Sequence, residues 1–189
     1  MKKEKQIEFL LASINDIQST IRAFDNKIIA IIVVIILPLS QLKLLISIYS
    51  HLIIDYLFIG ILTLSVFVIT WLLSLIFSIL CILSIENPAS KIVNDCNAKG
   101  IFYGAGLFKI NYRYLLFRKK LVSTKSISDY SKDFKLKEIK KELVYEQMKL
   151  TFIRDVKSKR QKIALISATL SILIGVLSWL FVLIEYNIG

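Results

Sequence analysis

The sequence predicts an all-α membrane protein, with three transmembrane helices and a helical cytoplasmic domain formed by the N-terminal amphipathic helix and the region between spans two and three. Three observations carry this expectation. Hydrophobic residues make up 56% of the 189-residue chain, above the roughly 45–50% apolar content of soluble domains, and the mean hydropathy is +0.65. These residues are clumped: 56–85 and 163–184 hold no charged residue, and a helix needs roughly 20 apolar residues to cross a bilayer core. The cations are clumped too, crowding into 86–162.

Taken in order, residues 1–27 read as a cytoplasmic amphipathic helix. Ile7, Leu10, Leu11, Ile14, Ile17 and Ile21 recur at helical spacing opposite Lys5, Glu8, Asp16 and Gln18. The first span is expected at 28–50, where the run IIAIIVVIIL meets Pro38 and continues past Lys43. Membrane helices tolerate proline, and a lysine near the end of a span snorkels to the headgroups. A cleaved signal peptide fits poorly, because Glu4, Glu8, Asp16 and Asp25 precede the apolar run and no small-residue cleavage pattern follows it.

The second span is expected at 56–85. Cys81 lies within it and Cys96 just beyond, so both read as packing residues or free thiols rather than a disulfide or metal pair. Asn87-Pro88 then stops the helix, since proline disfavours helical conformation at the residue before it. Residues 86–162 form the expected cytoplasmic helical domain. A new helix starts near Ala89, Gly100, Gly104 and Gly106 thin the next stretch, and a serine-rich turn follows. Leu136, Ile139, Leu143, Gln147, Leu150 and Arg154 then fall on one approximate heptad line. No proline or glycine separates this segment from the third span, 163–184. The expectation is one continuous helix from about 135 to about 185, roughly 75 Å long at 1.5 Å per residue. Residues 185–189 form a short external tail.

Charge orients the chain, because lysine and arginine accumulate on the cytoplasmic side. Lys2, Lys3, Lys5, Arg22 and Lys27 precede the first span, whereas Lys43, His51 and Asp55 are all that the link to the second offers. The N-terminus and 86–162 are therefore expected in the cytoplasm and the C-terminus outside, in a multi-pass protein of a bacterial inner membrane. The net charge of +11 fits nucleic-acid binding in principle, but juxtamembrane placement favours topology and contact with anionic lipid. No nucleic-acid partner is expected.

Catalytic chemistry finds little support. The single histidine, His51, falls on the expected outer side, and Gly104-Ala105-Gly106 lacks the third glycine of a dinucleotide loop. No nucleophile elbow or zinc spacing is present, so the expectation is a non-enzyme with no catalytic residue and no metal or cofactor. What the inner region offers is aromatic rings interleaved with cations: Phe102, Tyr103, Lys109, Tyr112, Arg113 and Tyr114. A base can stack on such rings while a cation contacts phosphate. An aromatic core edge with a solvated rim is the other account, and composition favours it.

The ordered pattern adds to this. Phe24-Asp25-Asn26-Lys27 leads into the first span, Asn87-Pro88 follows the second, and Phe102-Tyr103-Gly104, Gln147, Lys157 and Lys159 precede the third. Together these resemble the transmembrane effector domain of the bacterial Pycsar (cyclic-pyrimidine antiphage defence) family, over nearly the whole chain. The family's Asp-x-Lys pair at the base of the first span resembles Asp25 and Lys27. Its aromatic-glycine segment resembles Phe102-Tyr103-Gly104, and its later glutamine and lysine resemble Gln147 and either Lys157 or Lys159. The resemblance implies an oligomeric antiphage effector. Its cytoplasmic domain would sense a cyclic mononucleotide, cyclic UMP or cyclic CMP ahead of a cyclic oligonucleotide, made by a partner nucleotide cyclase. Membrane integrity would then fail, giving abortive infection. Asp25, Lys27, Tyr103, Lys109, Tyr112, Arg113, Gln147, Lys157 and Lys159 are the candidate ligand-binding residues. The alternative is a constitutive membrane scaffold or anchor that binds anionic lipid or a protein partner.

Overall fold

A computed structural model describes residues 2–83, 85, 88 and 136–188. These form four helices and no strand: α1 (Lys2–Ser40), α2 (Leu42–Asp55), α3 (Leu57–Ile82) and α4 (Leu136–Ile188). The helix expected near Ala89 and the aromatic stretch after it lie outside the described residues. Three helices are long and apolar enough to cross a membrane: α1, α3 and α4. In the most apolar window of α3 only 22% of residues are buried. Such a surface suits lipid, because water leaves large apolar areas uncovered only at a cost. The chain suits a multi-pass membrane protein.

The chain divides into two compact units, Met1–Ser19 with Glu86–Arg154, and Thr20–Ile85 with Asp155–Gly189, so that α1 and α4 contribute to both. In the first unit, α1 and α4 run parallel and in register. Lys140 Nζ donates to Gln6 Oε1 at 2.9 Å, and seven residues on, Gln147 Nε2 donates to Ser13 Oγ at 2.8 Å. Along the same face lie Leu10, Ile14, Ile17, Leu143 and Leu150, all buried, in the alternating three-and-four spacing of a coiled-coil seam. Two details of the expected stripes change. Leu11 is 43% exposed, because it stands about 100° of helix rotation from Leu10 and so off the seam. On α4, Glu146 takes the seam position between Leu143 and Leu150 and pairs with Lys149, while Gln147 and Arg154 flank the seam, half-buried.

The second unit is a three-helix bundle. The expected first span, 28–50, is not one helix: α1 ends at Ser40 and α2 begins at Leu42. Pro38 lies inside the last turn of α1, where it brings no N–H to the ladder and its ring crowds the carbonyl four residues back. The chain turns at Gln41 (φ −116°), whose N–H bonds the Pro38 carbonyl at 3.1 Å. Even so, 28–55 lies antiparallel along α3. Ile28 packs with Cys81, the Trp71 indole donates to the Ile35 carbonyl at 2.9 Å, and the Tyr49 and Phe67 rings lie 5.7 Å apart. Only Tyr56 separates α2 from α3. The turn is tight enough that a Cβ on Gly60 would stand 2.7 Å from the backbone of Leu52 and Ile53.

The expected helix through the third span is present as α4, and it continues to Ile188, so the expected tail 185–189 is helical over most of its length. Every seventh residue from Leu143 to Ser178 is buried: Leu143, Leu150, Lys157, Ala164, Ser171 and Ser178. The type changes along the helix. Leucines fill the seam in the first unit, and alanine and serine in the second, where helices surrounded by lipid gain from close backbone approach rather than from burying large apolar groups.

Candidate functional site

One end of the three-helix bundle gathers charge. α1 brings Asp25 there in the last turn before its apolar run, and α4 brings Lys157 and Arg160, three apart and therefore on one face. Lys157 is buried, its side chain 8% exposed, and its ammonium donates to Asp25 Oδ1, a carboxylate side chain 37% exposed. Arg160 Nη1 donates to the Leu80 carbonyl at 2.6 Å. That carbonyl belongs to the last turn of α3, where the final C=O groups have no partner within the helix and the dipole attracts cations. The Cys81 thiol, fully buried, points to the Lys157 carbonyl at 3.6 Å. One ion pair, one guanidinium cap and one thiol contact thus join the three helices at this end.

Of the candidate residues from sequence, Asp25 and Lys157 are brought together. Asp25 and Lys27 do not face one another, as their two-residue separation requires, and Lys27 is exposed. Lys159 is exposed as well, so of the two lysines resembling the family's lysine, Lys157 alone is buried in a pair. Gln147 lies in the first unit, bonded to Ser13. Tyr103, Lys109, Tyr112 and Arg113 lie outside the described residues.

Arg160 and Ser13 were not among the sequence candidates. For Arg160 the signal was available, since a cation three residues from Lys157 shares its face, but its partner is a carbonyl, which residue types do not reveal. The first unit also holds a groove of about 340 Å³ lined by Lys5, Gln6, Phe9, Leu10, Lys140 and Val144. Phe9 there is 70% exposed. An exposed ring in a groove that two lysines also line is able to receive a flat anionic molecule. Among the described residues no group of histidine, cysteine, aspartate and glutamate is placed to hold a metal ion. No protein-family model, curated protein or solved structure matches the chain.

Proposed function

We propose that the chain is a membrane effector of antiphage defence that binds a cyclic nucleotide, cyclic UMP or cyclic CMP, through a cytoplasmic domain and then impairs membrane integrity, causing abortive infection. The observation that carries the reading is α4, one helix from the charged segment at Leu136 to the apolar end at Ile188. A ligand that moves its first half has an unbroken hydrogen-bonded ladder to act along. A ligand shifts a conformational equilibrium only by binding one state more tightly, and the Asp25–Lys157 pair supplies such a difference. In the paired state the ammonium is occupied; a cyclic phosphate, itself an anionic acceptor, competes with Asp25 for it. The family resemblance at Asp25, Gln147 and either Lys157 or Lys159 supports the same reading, together with assembly into a homo-oligomer and a cyclase as functional partner.

Isothermal titration of the solubilised full chain with cyclic UMP and cyclic CMP tests this. Binding heat that is lost in Lys157→Ala and kept in Lys159→Ala is the expected result. Absence of heat with either nucleotide overturns the reading. Binding without loss of membrane potential in cells that co-express the cyclase makes the chain an anchor rather than an effector.

A further inference from the structure

Small hydroxyl residues share the interior of the three-helix bundle with an apolar core that includes Ile28, Ile48, Leu52 and Phe67. Large apolar side chains such as Leu73, Ile76 and Leu177 point outward, at 40%, 49% and 63% exposure, while Ser74, Ser78, Ser167, Ser171 and Ser178 are buried. Small residues at membrane helix contacts are ordinary. Two buried hydroxyls are not: among the described residues, Ser78 Oγ and Tyr49 Oη have no hydrogen-bond partner. Tyr49 has Ser178 beside it, but the two do not meet in hydrogen-bonding geometry. Other hydroxyls in these helices settle the matter locally. Thr63, Ser65, Thr70 and Thr169 each donate to the carbonyl four residues back, which is how membrane helices satisfy such groups. Ser74 instead donates across to the Ala164 carbonyl at 2.8 Å. Burying an unpaired hydroxyl is costly, and a water satisfies such a group where there is room for it and further polar partners stand nearby.

The interhelical pairs order these groups along the bundle. From the Asp25 end come Cys81 against Lys157, then Ser78, then Ser74 against Ala164, then Phe67 against Gly175, then Tyr49 beside Ser178, and last Tyr56 donating to Glu185 at 3.2 Å. The two unpartnered hydroxyls therefore lie on opposite sides of Phe67. A Cβ on Gly175 would meet the Phe67 ring at 3.4 Å, so the ring fills the space that the glycine leaves. Hydrophobic constrictions of this kind close pores by excluding water.

We propose that this hydroxyl seam is a proton path through the single protomer, hydrated at Ser78 and at Tyr49 and interrupted by Phe67. When the ring withdraws, water joins the two halves, and each hydroxyl or water accepts a proton from one neighbour and releases another to the next, so that no net bond is made or broken. The seam supplies a lining that the apolar spans did not suggest from sequence, and it stands whether or not a cyclic nucleotide is the trigger.

The test uses the full chain in liposomes holding a pH-sensitive dye, with a potassium diffusion potential to drive protons. Phe67→Ala is expected to raise proton flux several-fold over the wild type, and adding Ser78→Val returns it toward the wild-type value. Leu73→Ala, on the outer face, leaves flux unchanged. A Phe67→Ala protein of wild-type helical content with wild-type flux overturns the proposal, as does an equal rise in Leu73→Ala. Tyr49→Phe gives a reading that does not depend on the Phe67 variant folding. Loss of a hydrated hydroxyl lowers the unfolding midpoint in detergent; a raised midpoint means that the hydroxyl was dry and overturns the proposal.

Discussion

Lys157 of α4 is buried against Asp25 of α1 at the end of the bundle where both helices pass from charged to apolar sequence. A buried ammonium deprived of its partner is worse than no ammonium at all, because the desolvation it has suffered is no longer offset. Full burial makes such a loss cost about 3–5 kcal/mol; the Asp25 side chain, 37% exposed, lets water relieve part of it. Asp25→Ala is therefore expected to destabilise by about 1–3 kcal/mol, between the buried and the exposed limits. Lys27→Ala and Lys159→Ala, both at exposed positions, should stay within about 0.5 kcal/mol. Reversible unfolding in detergent, followed by circular dichroism, checks all three, and equal effects at Asp25 and Lys27 would show that the pair contributes nothing.

The two described glycines of the spans should respond differently to alanine. At Gly60 the added Cβ meets backbone of Leu52 and Ile53 at 2.7 Å, which no side-chain rotation relieves, so α2 and α3 must part. Overpacking of this kind costs about 1–3 kcal/mol or more. At Gly175 the neighbour is the rim of the Phe67 ring at 3.4 Å, which can shift by a few tenths of an ångström, and alanine also improves helix propensity by about 1 kcal/mol. Gly60→Ala is expected to lower the unfolding midpoint clearly, with Gly175→Ala near wild type. The reverse order would mean that the turn at Tyr56 is not packed as described.

Cross-helix hydrogen bonds in the bundle give a third comparison. The Ser74 hydroxyl reaches the Ala164 carbonyl from a fully buried position, and the Trp71 indole reaches the Ile35 carbonyl from a half-buried one. Such bonds in membrane proteins average about 0.6 kcal/mol, so Ser74→Ala should lose little. Trp71→Phe removes ring area as well as the donor and should lose more, about 1–2 kcal/mol. A Ser74→Ala loss larger than that of Trp71→Phe, measured by the same unfolding, contradicts this ordering.

How much of this was legible in sequence depended on whether a feature is written in one segment or in two. The length of α4 needs only the absence of proline and glycine before the third span, and the amphipathic start of α1 needs only local spacing. The position of the break at Gln41 is different: Pro38 announces a disturbance, but whether it kinks or ends the helix depends on how α2 packs against α3. Partners are harder still. Asp25 and Lys157 are far apart in the chain, and the two-residue gap from Asp25 to Lys27 shows only that the aspartate must look elsewhere. The buried serines of α3 and α4 were hidden for a further reason, since in a uniformly apolar run a serine signals neither inside nor outside until neighbouring helices are placed.

Glu146 separates the cost of breaking a buried ion pair from the worth of having one. It occupies a seam position between Leu143 and Leu150 at 5% exposure, paired with Lys149, whose ammonium also stands 4.9 Å from the Tyr145 ring centre. Removing the acid alone strands a lysine side chain that is 13% exposed, so Glu146→Ala should destabilise by about 1–3 kcal/mol. Replacing both partners with apolar groups of similar volume removes both desolvation penalties, and exchanges of this kind are commonly neutral or stabilising by about 1–4 kcal/mol. The double variant Glu146→Leu with Lys149→Met is accordingly expected to unfold at or above the wild-type midpoint although the single variant falls below it. A double variant no better than Glu146→Ala would show that the carboxylate makes further favourable contacts in the first unit, beyond its pair with Lys149.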